Sequence, residues 1–323
     1  MFILEELAAN LSISNFRMKK NQNIVITVIL AAILVGGLSF VMPKNKEKYL
    51  GDRFWAQKTF APAVYDIIIM GDSRSYRGVL PEIMEEKLPG MKAFNFGYSN
   101  GGLNPTMFEM ACKKLSIKNS KKVIVLGVSA NCITDYTQKN EQFWQEKKRH
   151  PEDIFERLYL DGILYHFSAT SPEGLQEYFK KKTTTSYYRN EYHSNGYVES
   201  EKFPVDTLEA IPSYTDDFSH FKVDEGIVDD LINQVKEWSI DGITVIGFRP
   251  PTTAPMRALE DTMGLYNEAV ISARFNEAGG HWINLNPNQY KTYDGSHLDK
   301  ESAAKLSEEL ALEIKGLISK EKL

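Results

Sequence analysis

Residues 67–78 read IIIMGDSRSYRG. Three isoleucines and a methionine run without interruption into glycine. A run so short and so uniformly apolar suits a strand covered on both faces better than an amphipathic helix. Gly71 and Asp72 then supply a turn and a cap, and a helix follows. The stretch predicts strand, tight turn and helix, with Ser73 at the junction. Ser73 is then either a helix-capping residue or a nucleophile held at the open edge of a sheet.

The same grammar recurs along the chain. Further apolar runs are KAFNFG (92–97), KVIVLGV (122–128), GITVIGF (242–248) and HWINLN (281–286). Helical patterns lie between and after them, at about 79–88, 104–117, 225–239, 261–278 and 300–318; Leu306, Leu310, Ile314 and Leu317 make one apolar stripe on the last. Strand–helix alternation of this kind predicts an α/β domain: a doubly wound, parallel, five-stranded sheet in three layers. The gap between strands three and four, about 135–222, is too long for one crossover. It reads as an insertion, helical at first, then polar and aromatic, and a candidate lid. Tyr187, Tyr188, Tyr192 and Tyr197 fall in its polar part, where sugar stacking and simple packing are both open readings.

Residues 24–42, IVITVILAAILVGGLSFVM, carry no charge and lie between Lys20 and Lys44. About 20 apolar residues span a hydrocarbon core of ~30 Å as a helix. The sequence therefore predicts a transmembrane anchor over 23–42. It is preceded by a segment 1–22 and followed by a tether 43–63 and an α/β domain 64–323. MKKNQN from Met18 resembles a signal start and makes Met18 an alternative first residue. SFVMPKN is a poor cleavage site, so the anchor is expected to persist. Basic residues flank the span on both sides and do not decide its orientation. A short N-terminal segment before a large domain favours a single-pass protein with its domain outside the cytoplasm.

Composition narrows the function. The 323 residues are 42% hydrophobic and 25% charged, with net charge −5. No basic excess exists to collect nucleic-acid phosphates. Cys112 and Cys132 show neither metal-ligand spacing nor a disulfide framework. GDSRSYRG lacks the glycine spacing of a dinucleotide or phosphate loop. Neither a metal nor a cofactor is expected.

All strands of a parallel sheet end on one edge, and ligands bind there. Ser73 follows strand one. Gly97 and Asn100 follow strand two, Asn131 follows strand three, Arg249 follows strand four, and Asp294 and His297 follow strand five. Such a set serves acyl transfer. A serine hydroxyl needs a base; histidine acts near neutral pH, and a carboxylate fixes its tautomer. Backbone amides and an asparagine can cradle an oxyanion. Asp294 and His297 are three apart in a turn, so the carboxylate reaches one ring nitrogen while the other faces Ser73. Arg249, before two prolines, is a candidate for binding an anionic substrate group, or else a structural ion pair. Arg74 and Arg77 extend that cationic rim or, as favoured by their helical setting, are solvated; Arg74 is retained as a candidate substrate contact.

At these residues the sequence resembles the SGNH (GDSL-like) hydrolases. MGDSRS resembles their first block, FNFGYSNGG the second and DGSHLD the last. The resemblance covers about 64–135 and 242–318 and leaves out the insertion. It implies a flavodoxin-like SGNH hydrolase fold with Ser73, Asp294 and His297 as catalytic triad. It implies an oxyanion hole from the amides of Ser73 and Gly97 and the side chain of Asn131, with Asn100 as the alternative. The third block departs, because Asn131 stands four residues after Gly127. With the N-terminal anchor, this resembles the envelope branch that assists polysaccharide O-acetylation and D-alanylation. It implies a membrane-anchored serine esterase or O-acyltransferase acting on a cell-envelope glycan or other acyl ester, beside a multispanning membrane acyltransferase. A noncatalytic partner protein that binds polymer or such an acyltransferase is the competing expectation.

Overall fold

The computed structural model describes residues 23–37, 46–118, 121–161 and 186–320. The chain divides into two units, Met1–Tyr49 with Phe155–Lys182 and Leu50–Ile154 with Thr183–Leu323. In the first, residues 23–37 form a helix (α1) whose apolar side chains from Ile24 to Val35 are exposed. Among the described residues no helix is long and apolar enough to cross a membrane. Residues 38–42 of the predicted span, and the predicted segment 1–22, lie outside the described residues.

The second unit is built on a five-stranded, all-parallel sheet of order β2-β1-β3-β6-β7. Its strands are β1 (Ile67–Met70), β2 (Ala93–Asn95), β3 (Val123–Gly127), β6 (Thr244–Phe248) and β7 (His281–Ile283). Each begins within a few residues of its apolar run in the sequence. The order is compatible with a flavodoxin-like fold. Register is continuous across the centre, with Ile67 opposite Val123 and Val123 opposite Thr244.

Strand β1 shows why its uninterrupted run is needed. Ile67 and Ile69 face one core with Val125, Ile246, Leu306 and Leu310, whereas Ile68 and Met70 face another with Ile124, Leu126, Phe108 and Leu231. Both faces are dry, so both parities must be apolar. Each such side chain contributes about 1.5–3 kcal/mol on burial. Helices α4 (Pro81–Lys87) and α12 (Lys300–Lys320) cover the first face; α5 (Pro105–Cys112), α9 (Glu225–Ile240) and α11 (Glu268–Glu277) cover the second.

Two features depart from the sequence expectations. The predicted helix 261–278 is two, α10 (Ala254–Thr262) and α11. Leu265 takes φ +58° between them, and Asn267 caps the second by accepting from Val270 N. The predicted tether is largely a helix, α2 (Lys46–Thr59), which buries Phe54, Ala56 and Lys58. Lys58 Nζ donates to Gly196 O at 2.8 Å among the rings of Phe54, Trp55, Tyr76 and Tyr98, and burial pushes its pKa well down. A short helix α3 (Ser73–Gly78) precedes α4.

Residues 162–185 of the predicted insertion lie outside the described residues; the rest of it is structured. It holds α6 (Glu141–Lys147), α7 (Pro151–Phe155), an antiparallel hairpin of β4 (Tyr187–Tyr192) and β5 (Val198–Phe203), and α8 (Ile211–His220). Both cysteines are free thiols.

Candidate active site

The sheet's chain order reverses between β1 and β3, and the crevice at that point is where such folds bind ligands. The turn after β1 lies there. Gly71 has φ +138°, and a Cβ on it would stand 2.2 Å from Ser75 Oγ and 2.7 Å from Gly127 O, so only glycine fits. Asp72 then caps α3: its Oδ1 accepts from Arg74 N at 3.0 Å. Its Oδ2 accepts from Ser129 Oγ, which ties the end of β3 to this turn. Ser73 is thereby placed at the first helical position, where its N–H has no intrahelical acceptor.

The partner loop follows β7. Asp294 Oδ1 accepts from the backbone N–H of Ser296 (2.8 Å) and of His297 (2.7 Å), which folds the turn tightly. Gly295 has φ +93° and approaches Thr207 O so closely that a Cβ would lie 2.2 Å from it. Asp294 Oδ2 is 2.7 Å from His297 Nδ1, and His297 Nε2 is 2.8 Å from Ser73 Oγ. Three residues separated by up to 224 positions thus form one continuous chain of hydrogen bonds.

The electrostatics suit a base. Burial would raise the Asp294 carboxyl, but the His297 hydrogen bond and charge and the two backbone N–H groups hold it at about 2. It is therefore an acceptor only, so Nδ1 carries the imidazole proton and Nε2 accepts from Ser73. Burial lowers the pKa of His297; Asp294 opposes this, while Arg77 and Arg74 reinforce it. A neutral imidazole near pH 7 can take the serine proton.

The other expected residues divide. Asn131 opens a 3₁₀ turn after β3 and is buried, and among the described residues its side-chain amide makes no hydrogen bond. It remains available as an oxyanion donor. Gly97 does not: its N–H donates to Asn95 Oδ1 at 3.1 Å, because the buried Asn95 turns its oxygen back while its nitrogen holds Ser75 O and Val79 O. Asn100, at φ +46°, stands exposed on the loop beside Ser99, whose N–H goes to Gln142.

Arg74 and Arg249, candidates for substrate contact, are buried in an ion-pair cluster, which for Arg249 is the alternative the sequence left open. Glu260, fully buried, accepts from Arg74 through Oε1 and from Arg249 through Oε2 at 2.7 Å. Arg249 also meets Asp261 at 2.8 Å and Glu268 at 3.4 Å, and Arg257 meets Glu268 at 2.6 Å. Burial would raise the Glu260 carboxyl; the two guanidiniums bring it below its ordinary value. Arg74 Nε donates to Ser296 Oγ at 2.9 Å, and Ser296 Oγ donates to Tyr214 at 3.1 Å. Arg74 therefore joins the helix of Ser73 to the loop of His297.

Glu260, Ser296 and Tyr214 carried no sequence signal as site residues. Arg77, read as a rim cation or a solvated helix residue, and Tyr188, read as a stacking or packing tyrosine, meet each other: Arg77 Nη1 donates to the hydroxyls of Tyr188 and of Tyr293 (2.9 Å). Among the described residues no group of His, Cys, Asp and Glu is arranged to hold a metal ion. No protein-family profile, no curated protein and no solved structure matches this chain.

Proposed function

We propose that the protein is a serine esterase or O-acyltransferase of SGNH type, working through Ser73, His297 and Asp294. The observation that carries this reading is the unbroken contact from Ser73 Oγ through His297 to Asp294, at 2.8 and 2.7 Å. His297 Nε2 takes the Ser73 proton as Oγ attacks the acyl carbon. The same nitrogen returns the proton to the departing alkoxide, leaving an acyl-serine. Water or an acceptor hydroxyl then attacks that ester, with His297 again as base. Ser73 N–H and the Asn131 amide are the groups on offer to the tetrahedral oxyanion.

The apolar run at 24–42 and the envelope-branch resemblance support a membrane-anchored, extracytoplasmic enzyme. Its substrate on that reading is an acylated cell-envelope glycan, and its neighbour a multispanning acyltransferase. One observation favours the noncatalytic partner reading: the Gly97 N–H is engaged by Asn95, which leaves two oxyanion donors rather than three.

The test is a fluorophosphonate probe with mass-spectrometric mapping. The wild-type chain is expected to carry the adduct on Ser73, and Ser73→Ala to carry none. A chain that stays unlabelled under conditions where it is folded removes the catalytic reading and leaves the partner reading.

A further inference from the structure

Four arginines lie in or beside the site's network, and their surroundings differ in kind. Arg74, Arg249 and the adjacent Arg257 are balanced by Glu260, Asp261 and Glu268. Arg77 has no carboxylate partner among the described residues. It sits four residues after Ser73, one turn along α3 and therefore on the same face.

What holds Arg77 is aromatic. Its guanidinium lies 5.3 Å from the Tyr76 ring centroid and 5.7 Å from that of Tyr188. Nη1 donates to the hydroxyls of Tyr188 and Tyr293, while Nε is shielded from solvent with no hydrogen-bond partner. The Tyr293 ring in turn stacks on His297, 5.7 Å between centroids and 14° between planes. A positive charge is thus oriented by neutral groups within one ring of the base. The Tyr188 and Tyr293 hydroxyls also meet each other, so one phenol proton is engaged between them and one remains to donate. The carboxylate beside Tyr293, Asp294, is committed to His297 and to two backbone N–H groups.

We propose that Arg77, with Tyr188 and Tyr293, is a receptor for an oxyanion substituent of the substrate, a carboxylate or a phosphate carried close to the scissile acyl ester. A guanidinium matches either group through paired N–H donors, and the phenol pair adds a directed hydrogen bond. Placement on the nucleophile's helix face makes the receptor a selector: an acyl ester bearing the anion is held with its carbonyl at Ser73, and a neutral ester is not. The proposal rests on the triad reading for the word substrate, but its anion site stands on Arg77 itself.

The test uses the full chain and has two arms. In the first, binding of inorganic phosphate and of glucuronate is measured by calorimetry on wild type, Arg77→Gln, Tyr188→Phe and Ser73→Ala. Wild type and Ser73→Ala should bind alike. Arg77→Gln should weaken binding by at least about tenfold, the scale of a charged hydrogen bond. Tyr188→Phe, at a half-exposed hairpin position that tolerates substitution, should weaken it by a smaller factor and guards against a folding defect in Arg77→Gln. The tighter of the two ligands assigns phosphate or carboxylate. No binding of either to wild type, or equal binding to Arg77→Gln, overturns the proposal.

In the second arm, wild type is expected to prefer 5-acetoxy-2-nitrobenzoate over 4-nitrophenyl acetate in kcat/KM, through KM, and Arg77→Gln to lose that preference. An equal fall in kcat on both esters, with the preference intact, overturns the proposal by putting Arg77 on the transition state's oxygen. Absence of any Ser73 adduct alongside Arg77-dependent anion binding would sink the triad reading and spare the anion site.

Discussion

Arg74 and Arg77 stand on one six-residue helix and meet opposite fates. Arg74 is 3% exposed, and a fully buried glutamate neutralises it. Arg77 is half-buried, and only tyrosine oxygens and rings hold it. The difference shows what burial demands. A guanidinium withdrawn from water needs a carboxylate, because the desolvation cost is otherwise unmet. One that keeps a solvent-facing side can be oriented by neutral groups and remain electrostatically unspent. The first kind builds the site; the second is equipped to meet a ligand.

The largest effect should come from attacking the first kind. Glu260→Gln keeps the shape but leaves Arg74 and Arg249 buried without their shared anion. A stability loss of about 3–5 kcal/mol is expected in denaturant unfolding. A loss below about 1 kcal/mol would erase the contrast between the two arginines, since that is the scale of a solvent-exposed pair.

Ser296→Ala is the intermediate case. It removes the acceptor for Arg74 Nε and the contact to Tyr214, at an expected cost of about 1–3 kcal/mol. Because Ser296 lies between Asp294 and His297, the labelling rate of Ser73 by fluorophosphonate should fall as well, in protein that is still folded. An unchanged labelling rate would reduce Arg74 to a packing element.

The smallest effect belongs to Arg77. Arg77→Gln should cost about 1 kcal/mol of stability, the scale of a hydrogen bond, having no ion pair to break. It should, however, move the acid limb of the rate profile. His297 titrates below its ordinary value, chiefly through burial and partly through Arg77 and Arg74. In the proposed mechanism activity needs the neutral ring, so it is expected to be full above that depressed pKa and lost as pH falls through it. Removing the Arg77 charge raises the pKa of His297, and the acid limb should shift to higher pH. A fixed limb would place the guanidinium too far from the imidazole to matter.

The sequence makes some of this legible and hides the rest for definite reasons. Strands β1, β3 and β6 are readable because both faces are dry, which forces unbroken apolar runs. The triad residues are readable because Ser73 ends the first run and Asp294 and His297 share one turn. The cluster around Glu260 is invisible: its link to Arg74 spans 186 residues, and nothing local distinguishes a buried glutamate on an amphipathic helix. The engagement of Gly97 turns on Asn95, which reads as an ordinary strand residue until its amide is seen folding back. The hairpin of β4 and β5 carries a local signal, the Asn195-Gly196 pair between two aromatic-rich stretches. Gly264 and Asn267 likewise marked the break between α10 and α11.

That hairpin's tip has a consequence for how the molecule behaves in company. Strand β2 is the outermost of the sheet, and its outward N–H groups would invite a foreign strand. Ala93 N instead donates to Glu85 at 2.9 Å and Asn95 N to Asn195 O at 2.8 Å. Gly196 presses so near that a Cβ would sit 2.0 Å from Asn95 O. The border of the sheet is sealed by a neighbour too close to admit even a methyl group. Widening that seal with Gly196→Ala is expected to expose a sticky margin and favour strand-to-strand association.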